Sequence, residues 1–78
     1  MSAPLDPRLL EAIKDVRAKP RRLRAYDFLS TSEWIALCLG VGTKAALAQL
    51  PATFPTAPEA WRRLDAGQRA TVLHAWEN

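Results

Sequence analysis

One cysteine and one histidine are all that the 78 residues hold of the two side chains most used as metal ligands. Cys38 and His74 lie thirty-six positions apart and cannot supply the four ligands of a closed metal site. A single cysteine also excludes a disulfide within the chain and suits a reducing compartment. No stretch approaches eighteen consecutive apolar residues, so no membrane span is expected. The start, "MSAPLDPRLL", has no basic residues leading into an apolar run, so no signal peptide is expected either. Together these absences point to a soluble, cytoplasmic protein. No run alternates apolar with polar, and no Asn-Gly or Asp-Gly marks a hairpin, which leaves no strand signal. A Gly-x-Gly-x-x-Gly fingerprint, a Walker loop and any nucleophile set beside a base are missing too. Neither an enzyme nor a cofactor is therefore expected.

What the chain does have is an apolar content of 49%, too high for disorder, in a length that fits one domain. A domain this small buries a modest share of its surface. Without disulfides or metal its stability must come from dense helix packing or from self-association. The formal charge is +3, but it is unevenly spread. Residues 8–24 carry seven basic side chains against two acidic ones, while the segments on either side each have one net negative charge. An acidic partner would meet the N-terminal third.

Helix signals recur along the chain. Asp6 is a good N-cap, Pro7 suits the first helical position, and Leu5 and Leu10 sit at the flanking staple positions. Leu9, Leu10, Ile13 and Val16 form a stripe at helical spacing, and Pro20 ends the helix near Ala18. The basic stretch that follows is expected to make a helical turn with Leu23, Tyr26 and Phe28 anchored inward. Ser30 and Glu33 form a capping box with Leu29 and Trp34 at the staple positions. The helix they open, "WIALCLGV", is apolar on every face, which marks it as central. Gly40 is its expected C-terminal glycine. Thr43 can cap the next helix, "KAALAQL", which stops at Pro51. Phe54 is expected to anchor the proline-rich connection after it. Thr56 with Glu59 and Asp65 with Gln68 offer two more boxes, and the last helix should turn Ala70, Leu73 and Trp76 inward, with Val72 on the shoulder. The expected fold is all-α: residues 1–78 form a single helical domain, a compact bundle of four or five short helices, with a basic segment at 17–24.

Three features are candidates for function. The basic group Arg17, Lys19, Arg21, Arg22 and Arg24 fits either an acidic protein face or nucleic-acid phosphates. Its plain alternative is a solvated helix end whose cations complement the dipole. Tyr26 and Phe28 beside it would suit base stacking, or belong to the core. Trp61, Arg62 and Arg63, with Trp76, are the residue types that dominate interface hot spots. Either all three tryptophans pack, or at least one is left partly exposed for a contact. Cys38, in the most apolar helix, reads as inert core filler, and His74 as a solvated or partly packed helix residue.

The third feature is the run Ile35-Ala36 followed by Leu39-Gly40-Val41-Gly42-Thr43. It resembles the turn region of helix-turn-helix proteins such as phage repressor domains, which place a small residue in the first helix and glycine four positions on. The resemblance implies a DNA-binding regulator whose second helix offers Thr43, Lys44 and Gln49 to base edges. By size and composition the whole chain resembles the short helical proteins of phages and mobile elements, including anti-CRISPR proteins and other inhibitors of host machines. That resemblance implies a non-enzymatic inhibitor or adaptor that docks on a larger host protein or nucleoprotein complex. It is the first expectation, and the helix-turn-helix regulator is the alternative. Direct nucleic-acid contact and a homodimer stay open, and no membrane contact is expected.

Overall fold

The computed structural model describes residues 4–53 and 56–77. Among them are five α-helices and one 3-10 helix, and no strand. The helices are α1 (Pro7–Ala18), the 3-10 helix (Pro20–Tyr26), α2 (Thr31–Val41), α3 (Lys44–Leu47), α4 (Ala57–Arg62) and α5 (Ala66–Glu77). Phe54 lies outside the described residues.

Each α-helix starts at a side chain that satisfies backbone donors the helix cannot. Asp6 accepts from the amides of Arg8 and Leu9 at 3.0 and 3.2 Å. Ser30 accepts from the Glu33 amide while Glu33 reaches back to the Ser30 amide, both at 3.3 Å, which completes the capping box. Thr43 accepts from Ala46 and Thr56 from Glu59. Asp65 and Gln68 bond reciprocally, at 2.7 Å into α5 and 3.1 Å back. These bonds span two or three positions, so they were written in the sequence as local pairs.

Packing is organised around α2, whose residues Ile35 to Val41 are all buried. It packs against α1, α3, α4 and α5, so every face of an all-round apolar helix finds a partner. Leu9, Ala12, Ile13 and Val16 supply the α1 side of this core. Leu29 and Trp34, flanking the capping box, are half-buried against it.

Four expectations need correction. Gly40 does not end α2: the helix runs on to Val41, and Gly42, at φ +72°, takes the left-handed position. Gly40 is needed instead for close approach, since a Cβ there would run into Cδ1 and Cγ1 of the fully buried Ile13 on α1. The helix expected over "KAALAQL" is a single turn, and residues 48–50 continue as a turn and a bend. Ala46 is buried there, with Leu47 and Leu50 half-buried against the core. Leu23 is anchored and Tyr26 half-buried as expected, but Phe28 is 75% exposed. It follows the 3-10 helix in a turn and lies near Tyr26 with the rings tilted by 36° and their centroids 6.2 Å apart.

The last correction concerns α5. Its buried residues are Gln68, Thr71, Val72 and Ala75, while Leu73 and Trp76 are 45% and 49% exposed. The helix is turned by two long-range bonds that no apolar pattern reveals. The Thr71 hydroxyl accepts from the Asp6 amide at 2.8 Å and donates to Gly67 O at 2.8 Å, fixing the chain start against α5. The Gln68 side-chain Nε2 donates to Ser32 Oγ at 3.3 Å, tying α5 to the first turn of α2.

The substitution Gly40→Ala is expected to lower stability by about 1–3 kcal/mol through overpacking. In a domain of this size that reads as roughly 4–8 °C of melting temperature per kcal/mol. Adding Ile13→Val should recover part of the loss by opening space where the new methyl lands. Thermal unfolding of the two variants checks this, and an unchanged melting temperature for Gly40→Ala would contradict the close approach.

Candidate functional site

The C-terminal end of α2 is where side chains from α1 and α5 converge. The last carbonyls of a helix have no partner within it, and here they lie against the core, away from water. Three outside donors meet them in turn. The Gly42 amide donates to Cys38 O at 3.0 Å. The Trp76 indole Nε1–H donates to Leu39 O at 2.8 Å. Arg17 donates from Nη2 to Gly40 O at 2.8 Å and from Nη1 to Ala75 O, on α5, at 2.6 Å. A cation at two helix C-termini also complements both dipoles.

The same bonds position an open cleft of about 680 Å³. Leu39, Val41 and Leu47 line it with Trp61 and Trp76, and Arg17 and Arg62 bring charge to it. Trp61 and Trp76 stack with centroids 5.6 Å apart at 20°, a geometry that adds to simple burial. Arg69 lies over the Trp61 ring at 5.9 Å and donates to the carbonyls of Trp61 and Arg62, holding the end of α4. Of the three tryptophans, Trp34 and Trp61 are half-buried and Trp76 is the exposed one. Trp34 stands apart from the cleft and donates to Gln49 O at 3.0 Å.

The residues singled out from sequence divide between two places. Arg17, Trp61 and Arg62 come together in the cleft, from α1 and α4. Arg21, Arg24 and Gln49 share a shallow groove with Leu23 and Trp34. Lys19, Arg22 and Arg63 line neither, though all three are exposed. Thr43 spends its hydroxyl as the α3 cap, and Lys44 is exposed on the first residue of that turn. Trp76, Leu39, Val41 and Leu47 belong to the cleft and were not legible as partners of Arg17. The available signal was an arginine in the last turn of α1 with no acidic residue three or four positions away to pair with it on the helix, which is weak.

Arg22 is committed within the chain. Its Nε pairs with Asp15 Oδ2 at 3.1 Å, and the Tyr26 hydroxyl donates to the same oxygen at 2.7 Å. The Tyr26 bond, then the Arg22 bond, hold the Asp15 carboxyl below the usual aspartate range. The same carboxylate raises Tyr26 above the usual phenol value. Because the folded pKa of Asp15 lies below its unfolded one, the stabilisation is present above the ordinary aspartate value and is lost as pH falls through the folded value. Cys38 is fully buried, and burial alone pushes its thiol up to about 12. A thiol held protonated in this way is a poor nucleophile at neutral pH. Among the described residues no three or more His, Cys, Asp or Glu side chains gather into a metal-sized cluster.

Two outcomes follow. The melting-temperature gap between the native chain and Asp15→Asn should be present at neutral pH and close as pH falls below the aspartate range. A gap that persists in strong acid would contradict the triad. Cys38 should react with iodoacetamide only as fast as the whole chain unfolds; rapid labelling of the native fold would contradict its burial.

Compared with protein-family models, with curated proteins and with solved structures, the chain matches none.

Proposed function

We propose that the chain is a non-enzymatic binding protein that docks on a larger protein or nucleoprotein complex. In this reading it is an inhibitor or adaptor of the anti-CRISPR-like kind that phages and other mobile elements direct at host machines, and it works in the cytoplasm. The observation that carries the proposal is the Trp61–Trp76 stack, open to solvent in an apolar cleft with Arg17 and Arg62 beside it. A domain with so little core has reason to bury a tryptophan, yet Trp76 stays half exposed. Large aromatics beside arginines in a desolvatable pocket are the chemistry of interface hot spots. The basic segment supports the same reading. Lys19, Arg21, Arg22 and Arg24 stand on one short helix and its approach, and a partner with acidic groups or phosphates would be steered toward them. Arg63 adds to the cationic surface beside the cleft residue Arg62.

A second reading, a helix-turn-helix regulator, draws on the α2–turn–α3 connection and on the groove that joins Arg21 and Arg24 to Gln49. It is the weaker one. The four residues of α3 span about 6 Å, one turn, where a recognition helix lays several side chains along base edges. Gly40, the glycine on which the turn resemblance rests, sits inside α2, and the turn is made at Gly42.

The test is capture of the tagged chain from a bacterial lysate with and without nuclease, with the double variant Arg21→Glu, Arg24→Glu alongside. This pair spares Arg22 and its bond to Asp15, so the fold is not disturbed. The expected result is one protein complex recovered under both conditions, with recovery by the double variant reduced severalfold. Recovery of nucleic acid alone, with nothing protein-specific after nuclease, would reverse the order of the two readings.

A further inference from the structure

We propose that the cleft between α2, α4 and α5 takes a segment of a partner protein in which an apolar anchor side chain stands beside a carboxylate. The proposal rests on the binding-protein reading and names the chemistry one of its surfaces selects. Two facts point to it. The first is what the tryptophans have left to offer. The Trp76 N–H is already engaged by Leu39 O, so its exposed part is the ring, and the stacked ring of Trp61 continues that surface. With Leu39, Val41 and Leu47 beside them, these rings reward an apolar side chain.

The second is charge. Arg17 and Arg62 line the cleft, and among the described residues no acidic side chain does. The two bonds given by the Arg17 guanidinium end on neutral carbonyl oxygens, Gly40 O and Ala75 O. They fix the group in place and leave it without a carboxylate partner, the two helix dipoles offsetting its charge only in part. A cation held this way loses little rotamer freedom on meeting a carboxylate, which is the main cost that makes ordinary surface ion pairs weak. Arg69, over Trp61, adds positive field to the same wall. This distribution also argues against a second copy of the chain as occupant. A two-fold contact centred here would bring the same cationic patch from each copy together, which costs rather than gains.

The experiment uses two synthetic peptides, Glu-Leu-Phe-Glu-Leu-Glu and its lysine counterpart Lys-Leu-Phe-Lys-Leu-Lys, titrated into the whole chain labelled with ¹⁵N. The three indole N–H signals report position, because Trp34 lies outside the cleft and serves as the internal control. The acidic peptide is expected to shift Trp61 and Trp76 and leave Trp34 unmoved. It should bind about fivefold to tenfold more tightly than the lysine peptide, the scale of one or two exposed charge pairs. Arg62→Glu, at an exposed position whose side chain makes no structural bond, should abolish or invert that preference with only a small drop in melting temperature from the reversed charge in the last turn of α4. Trp76→Ala should remove binding of both peptides, but it also removes the bond to Leu39, so Arg62→Glu is the deciding variant. Equal binding of the two peptides, no movement of Trp61 and Trp76, or a preference untouched by Arg62→Glu would each overturn the proposal. A mass that doubles in solution without peptide, and returns to the monomer with Trp76→Ala, would overturn it in favour of a second copy. Failure of the peptides while lysate capture persists would sink the cleft proposal and leave the binding-protein reading standing. Failure of both would remove the two together.

Discussion

The C-terminal end of a buried helix is the constraint on which the rest of this structure turns. Because α2 is apolar on every side it must be wrapped completely, and wrapping it hides its final carbonyl oxygens from water. An unsatisfied buried carbonyl costs about 1–3 kcal/mol, which is large against the total stability of a domain this size. The carbonyls of Cys38, Leu39 and Gly40 are accordingly each met, by Gly42, Trp76 and Arg17 respectively. These three come from the turn after α2, from α5 and from α1. One local requirement thus draws two distant parts of the chain, α1 and α5, to the point where α2 ends.

The bare backbone at Gly40 makes this convergence feasible. With no Cβ between them, Ile13 and the α2 backbone come into direct contact, and α1 lies close along α2. Arg17 follows Ile13 by four positions on the same helix, so it stands one turn further along the same face. From there its guanidinium reaches Gly40 O and Ala75 O at once. The close approach that fills the core at Ile13 also delivers a cation to the surface cleft. Core packing and the candidate site are in this sense one arrangement, read at successive turns of α1.

Much of the fold was legible because it is encoded locally. Asp6, Ser30 with Glu33, Thr43, Thr56, and Asp65 with Gln68 each satisfy amides two or three residues away, and each stands where a helix begins. The central place of α2 followed from composition alone, as did the inert Cys38. What failed was set by contacts between elements. Leu73 and Trp76 have the spacing of an inner face, yet Thr71 takes the interior because its hydroxyl serves the Asp6 amide 65 residues away. Gly40 looks like a terminator until Ile13 is placed against it. The candidate site was half legible: Trp61 and Arg62 were picked out by residue type, but their union with Arg17 and Trp76 depends on carbonyls that no side-chain pattern shows. Phe28 is apolar within a basic stretch, as Leu23 and Tyr26 are, yet the turn at the end of the 3-10 helix leaves it outside.

The way the cleft is held has a bearing on how it can bind. Side chains that are free in the unbound protein must be ordered on binding, at about 0.5–1.5 kcal/mol for each flexible one. Here that ordering has largely been done by the fold. Trp76 is fixed through its indole N–H, Trp61 through its stack with Trp76 and the Arg69 contact, and Arg17 through two backbone carbonyls. Each of these bonds has a structural reason of its own in the satisfaction of helix ends. Stability therefore has no need to leave Trp76 half in solvent, since its bond to Leu39 would survive under a deeper cover. The exposed ring is the part of the arrangement that folding does not account for, and it is on this ring that the proposed partner would close.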